Sequence, residues 1–199
     1  MAVAAVAAQP YPVEVTFAQG SLERNRVTTF FRGLLVIPNL IVVYIWGIGF
    51  MVTSLLAWFA ILFTGKYPPG LYSFGVGYMR MLTDAFAYMH YMTDEYPPWS
   101  GTDAKAESYP VQYSIVYSGE SNRVTVFFRF LLAIPAFIFA AVVYVASYVA
   151  SIVAWFAILI TGRYPEGILS FTQGALRTVM RVNSYYYYMT DEYPPFSLS

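Results

Sequence analysis

No cysteine occurs among the 199 residues. Disulfides, thiolate nucleophiles and cysteine-ligated iron–sulfur clusters are therefore excluded. A single histidine, His90, rules out a multi-histidine metal centre or a bis-histidine haem within one chain. Charge is scarce: 11 % of residues are Asp, Glu, Lys or Arg, and they sum to a formal net charge of zero. A soluble domain carries about a quarter charged residues, and a nucleic-acid surface needs a basic field that a neutral chain lacks. Phosphate loops, dinucleotide fingerprints and nucleophile elbows are also missing. The expectation is a chain with no catalytic residue, no cofactor, no metal and no nucleic-acid partner.

What is present is apolar and is written twice. Residues 11–98 reappear at a shift of about 97 positions. Ala57-Trp58-Phe59-Ala60-Ile61-Leu62 returns as Ala154-Trp155-Phe156-Ala157-Ile158-Leu159, and Met92-Thr93-Asp94-Glu95-Tyr96-Pro97-Pro98 returns as Met189-Thr190-Asp191-Glu192-Tyr193-Pro194-Pro195. The division is a disordered N-terminal tail (1–10), a first membrane repeat (11–99), a polar linker (100–108) and a second membrane repeat (109–199).

Each repeat begins with alternation. Val13, Val15 and Phe17 share one face of a short strand, and residues 109–117 are β-like in the same way. The two strands are expected to pair, although a lone ribbon needs something to lean on. Basic stretches follow, with Arg24, Arg26 and Arg32 in one copy and Arg123 and Arg129 in the other. Apolar runs then extend over 33–63 and 130–160, well past the roughly 18 residues that suggest a membrane span. One long helix per repeat is favoured over a re-entrant hairpin, because Gly47 and Gly49 have the helix-compatible Tyr144 and Ala146 as counterparts. Gly65 and Gly162, followed by Lys66-Tyr67-Pro68 and Arg163-Tyr164-Pro165, end those helices and turn the chain into an antiparallel neighbour. This second helix covers about 71–92 and 168–189. Spanning with its charged face turned inward is the preferred reading, and lying in the interface is the rival.

The fold class is thus a mainly α integral membrane protein. It is a tandem repeat of a strand and a two-helix hairpin, with about four transmembrane helices. If both hairpins span with the same orientation, the pseudo-two-fold axis runs along the membrane normal. The basic residues then cluster on the terminal side and only Lys66 and Arg163 lie opposite, which predicts a multi-pass protein with both termini cytoplasmic.

Two sets of charges stand out. Arg80 and Asp84 are four apart on one helix face, and Arg177 and Arg181 occupy the equivalent positions. Charge at membrane depth requires a partner, a cavity or the interface. A buried cluster holding an anionic headgroup or solute competes with snorkelling arginines or a structural ion pair. Asp94, Glu95, Asp191 and Glu192 sit at helix C-termini, where carboxylates oppose the macrodipole. A salt bridge to the preceding basic segment is the plainer account, and docking of a partner subunit the functional one. For His90, a hydrogen-bonded interfacial histidine outweighs a ligand or a proton shuttle.

The pattern Phe-Phe-Arg…Ile-Pro, Trp-Phe-Ala-Ile-Leu-x-Thr-Gly-Lys/Arg-Tyr-Pro and Thr-Asp-Glu-Tyr-Pro-Pro resembles a bacterial membrane family known only as a domain of unknown function. Tandem copies are familiar in that family in actinobacteria. The resemblance implies a location in the bacterial cytoplasmic membrane and supplies no activity. The function expected is a non-enzymatic accessory or scaffold subunit of a membrane protein complex. It would contact membrane lipids, hold lipid at the repeat interface, and assemble with other membrane subunits or as a homo-oligomer. The alternative is a small oligomeric channel or transporter for an anionic solute.

Overall fold

The computed structural model describes residues 11–18, 20–102 and 104–198. The tail over 1–10 and Asp103 of the linker lie outside them. The first repeat is β1 (Val13–Phe17), α1 (Arg26–Leu35), α2 (Ile37–Thr64) and α3 (Pro69–Met89). A short helix, α4 (Ala104–Ser108), forms within the segment that reads in sequence as a plain linker. The second repeat is β2 (Val111–Ile115), α5 (Arg123–Thr161) and α6 (Glu166–Tyr186).

Local chemistry accounts for the helix boundaries. Asn25 and Asn122 cap α1 and α5, each side-chain oxygen accepting from two backbone N–H groups of the first turn. Pro38 falls in the first turn of α2, where its missing donor is not needed, whereas Pro135 lies inside α5. Gly65 and Gly162 close the long helices with φ of 75° and 76°, a left-handed conformation that glycine adopts without penalty. Each long segment is therefore a single rod, and the re-entrant hairpin is excluded.

The elements stack in three layers. α1, α2 and α5 form one outer layer, α3 and α6 the middle, and a two-stranded antiparallel ribbon of β1 and β2 the other outer layer. Phe50 stacks on Tyr78 between the first two layers, with ring centroids 4.6 Å apart. Val13, Val15, Val111 and Tyr113 are buried beneath the ribbon, and Glu14, Thr16 and Ser114 face outward. The expected strand pairing is present, and the middle helices supply what the ribbon leans on. Tyr113 Oη, for example, is 2.7 Å from Ser184 Oγ.

Ribbon register defines the symmetry. Val15 opposes Tyr113, Val13 opposes Ile115 and Phe17 opposes Val111. Val15 and Tyr113 are equivalent positions of the two repeats, so a pseudo-dyad passes between them, perpendicular to the ribbon. The same operator relates the long helices, which run antiparallel. Arg24 N donates to Gly162 O (2.9 Å) at one end of the molecule and Ser121 N donates to Gly65 O (2.9 Å) at the other. Trp155 near the end of α5 donates from Nε1 to Thr29 O near the start of α1, at 3.2 Å.

This arrangement corrects the sequence-based picture of two like-oriented hairpins with the pseudo-axis along the spanning helices. The axis lies across the long helices. Arg26 and Arg163 consequently share one end of the molecule, and Lys66 and Arg123 the other. The basic residues counted as one cytoplasmic cluster are divided between the two ends. Among the described residues, two helical segments of 39 residues, Arg26–Thr64 and Arg123–Thr161, are long and apolar enough to cross a membrane. The more polar α3 and α6 are not among them.

Candidate functional site

Both repeats build the same latch from residues far apart in sequence. Arg32 is 1 % exposed and Arg129 0 %. Arg32 Nη2 pairs with Asp94, 62 positions along the chain, and Arg129 Nη2 pairs with Asp191 at the same separation. Nη1 of Arg32 donates to Thr93 O (2.7 Å) and Tyr88 O (3.2 Å). Nη1 of Arg129 donates to Thr190 O (2.7 Å) and Tyr185 O (3.1 Å). Each guanidinium also lies over a tyrosine ring, at 4.4 Å for Tyr88 and 4.2 Å for Tyr185. The second carboxylate oxygen of Asp94 accepts from Asn25 N (2.7 Å), and that of Asp191 from Asn122 N (2.6 Å). A buried cation thus satisfies the last carbonyls of α3 or α6, and its carboxylate partner fixes the start of the long helix.

The carboxylates at the helix ends therefore split. Asp94 and Asp191 belong to the latches, and Glu95 and Glu192 stay exposed. Their backbones tie the repeats together: Tyr109 Oη donates to Glu95 O and Tyr11 Oη to Glu192 O, both at 3.0 Å. The salt bridge to the preceding basic segment, the plainer account of these carboxylates, is present in both copies, made by Arg32 to Asp94 and by Arg129 to Asp191.

Arg80, Asp84, Arg177 and Arg181 lie beneath the ribbon. Arg177 Nε donates to Val15 O (3.1 Å), and Arg80 Nε reaches toward Tyr113 O at the long distance of 3.4 Å. Arg181 lies 5.4 Å from the Tyr11 ring. Asp84 is 2 % exposed and lies near Tyr109. Arg80 and Arg177 clamp the central residues of the ribbon, one on each side of the pseudo-dyad.

Two grooves open between the repeats on the apolar side. One, of about 270 Å³, is lined by Arg32, Val36, Leu40, His90, Tyr91 and Tyr148, among others. Its pseudo-equivalent, about 490 Å³, is lined by Met51, Ser54, Trp58, Phe130, Tyr187 and Tyr188, among others. Tyr91 and Tyr188, at matching places in the two grooves, have φ of 63° and 64°. Both follow the last turn of α3 or α6, where a Schellman-type closure runs from Met92 N to Ala87 O and from Met189 N to Ser184 O, each 2.9 Å. Tyrosine in this conformation is strained, and the strain is present in both copies.

His90 stands where the second repeat has Tyr187. It is 3 % exposed, with Nδ1 2.9 Å from Phe86 O and Nε2 without a protein partner. Burial holds its pKa below the usual 6.5, only partly offset by the hydrogen bond to Phe86. The unfolded chain therefore binds this proton more readily than the folded one. Stability contributed by neutral His90 is complete above about pH 6.5 and is lost as pH falls from there toward the lowered folded value. His90→Tyr, which copies the second repeat, is expected to flatten the melting temperature between pH 7 and 5. An unchanged pH profile in detergent would remove His90 as its source.

Among the described residues, no group of three or more His, Asp or Glu side chains is placed to hold a metal ion. No match was found among curated proteins or among solved structures. The family model of a domain of unknown function, DUF4389, matches twice, over residues 26–100 and 123–197. Both matches run from the start of the long helix to just past Thr-Asp-Glu-Tyr-Pro-Pro, so each contains the arginine and aspartate of one latch, with Asn25 or Asn122 one residue before it, and the ribbon strands lie outside them. The chain belongs to this DUF4389 family, as two tandem copies joined by the ribbon.

Proposed function

We propose that the protein is a non-enzymatic accessory or scaffold subunit of a complex in the bacterial cytoplasmic membrane, holding lipid in the two grooves between its repeats. The observation that carries this reading is the pair of matched grooves. They open among exposed apolar side chains such as Leu40, Met51 and Ile152, and each is floored by a strained tyrosine. Strain kept in both copies at such a place fits ligand contact better than packing alone.

The polar inventory supports a scaffold. Arg32, Arg129, Arg80 and Arg177 are engaged with carbonyls or carboxylates of the chain itself, which favours a structural role for them over an arginine-lined anion path. Exposed Glu95 and Glu192 offer the docking surface for a partner subunit. Gentle native extraction followed by native mass spectrometry tests the reading. Retained phospholipid together with a stoichiometric second protein is the expected result. A lipid-free self-oligomer that conducts anions in liposomes would replace it with the channel reading.

A further inference from the structure

The three-layer order constrains how this molecule can meet a bilayer. Each long rod is about 58 Å, from 39 residues at about 1.5 Å each, against a hydrocarbon core of about 30 Å. The outward face of the rods is apolar along its length, from Phe30 and Leu34 through Ile41, Ile48 and Leu55 to Phe63, and from Phe127 through Ile134, Val142 and Val149 to Ile160. The opposite side of the molecule is polar at the same level as the middle of the rods. Gly47 and Phe50, near the centre of the first rod, pack on Tyr78 of α3. On the other face of α3, Arg80 reaches the ribbon at Tyr113, and Gly77 meets Gly101 of the segment leading into α4. Exposed Glu14, Lys105 and Glu107 sit in or beside that ribbon.

If the rods crossed a bilayer, the ribbon would lie at its centre, with no further strand on either edge and these charges in hydrocarbon. Open sheet edges and lipid-exposed charge do not persist there. Turning the rods into the membrane plane removes the conflict, because every one of these groups then faces water.

We propose that the apolar face of α1, α2 and α5 seats the protein in one leaflet of a lipid bilayer, with the long helices in the membrane plane, the pseudo-dyad along the normal and the ribbon in water. Charge at the rim matches this seat. Arg26 and Arg163 are exposed at one end of the rods, and Lys66 and Arg123 at the other, placed to meet anionic headgroups. Arg26 and Arg123 also each approach the glycine that closes the long helix of the opposite repeat, where a cation complements the macrodipole. The inference rests on the membrane reading above and is independent of the accessory role.

The absence of native cysteine makes the test direct. Single variants Lys66→Cys, Arg163→Cys and Lys105→Cys are expressed in bacteria and exposed to a membrane-impermeant maleimide before and after permeabilisation. An in-plane seat predicts that all three label in one compartment. Antiparallel spanning would place positions 66 and 163 in opposite compartments, overturning the proposal and assigning the ribbon to a covering partner protein. Like-oriented spanning would place 66 and 163 together, opposite 105, and would equally overturn it.

Polarised infrared spectroscopy of the unmodified protein in phosphatidylglycerol–phosphatidylethanolamine bilayers gives an independent measure. Helix dichroism along the surface is expected, and dichroism along the normal refutes the seat. Failure to associate with these bilayers at all would remove the membrane reading itself, a result distinct from a spanning topology.

Discussion

Asp191→Ala is expected to lower stability by about 3 kcal/mol, the low end of the range for breaking a buried ion pair. The low end applies because the Asp191 side chain is 31 % exposed while that of Arg129 is fully buried. The substitution leaves a guanidinium with two carbonyl partners and no counter-charge in a site that water does not reach. For a chain of this size the melting temperature should fall by about 6–12 °C. Asp94→Ala should cost about the same, because the first latch repeats the geometry of the second. Arg129→Met combined with Asp191→Leu removes both charges together and should restore at least half of the loss. Tryptophan fluorescence melts in detergent measure all three. Unchanged melting in both aspartate variants would mean that the carbonyls of Tyr185 and Thr190, with their equivalents in the first repeat, suffice alone.

The latches explain which charges could have been read from sequence. Arg32 and Asp94 recur as Arg129 and Asp191 at an identical separation of 62 residues. A charge pair kept through a duplication is doing the same structural work in both copies. Arg80 and Asp84 attract more notice because they sit four apart on one helix, but Arg181 replaces Asp84 in the second copy. Their location under the ribbon follows from tertiary packing that no periodicity encodes.

The C-terminal ends of the long helices were legible because Gly65 and Gly162 act locally, each through its own backbone, whereas the caps at Asn25 and Asn122, local as well, stand out only once the helix starts are placed. The relation between the repeats was not. Duplication makes two copies fold alike but leaves open how they are placed, and a tally of basic residues assumes that placement. The pairing of equivalent residues Val15 and Tyr113 carries the answer, since an antiparallel ladder demands a dyad across it. With the long helices lying across that dyad, like orientation is impossible.

The second large effect concerns a place where two backbones touch. Gly101→Ala should destabilise the protein by about 3 kcal/mol, the upper end for overpacking, because an added Cβ would overlap the Gly77 carbonyl group itself. Nothing flexible can give way. α3 is held against α2 by Phe50 and Tyr78 on its far side, so the segment around Gly101 must lift off. Thr102, whose methyl group covers Gly77, would be carried away with it. Limited proteolysis at the linker should therefore quicken along with the drop in melting temperature.

Gly33→Ala and Gly70→Ala provide controls of opposite sign. Both are helical, and a Cβ there meets nothing within 4 Å, so each should be neutral or stabilising by about 0.5–1 kcal/mol. Gly174 is the counterpart of Gly77, and its added Cβ would lie 2.6 Å from Leu198 O and 2.9 Å from Leu198 Cβ. The second repeat thus makes the same crossing with a leucine in the place of Gly101. A Gly101→Ala protein that melts and resists protease like the parent would show that the crossing over α3 can open without loss, and that the linker contributes nothing to holding the ribbon over the helices.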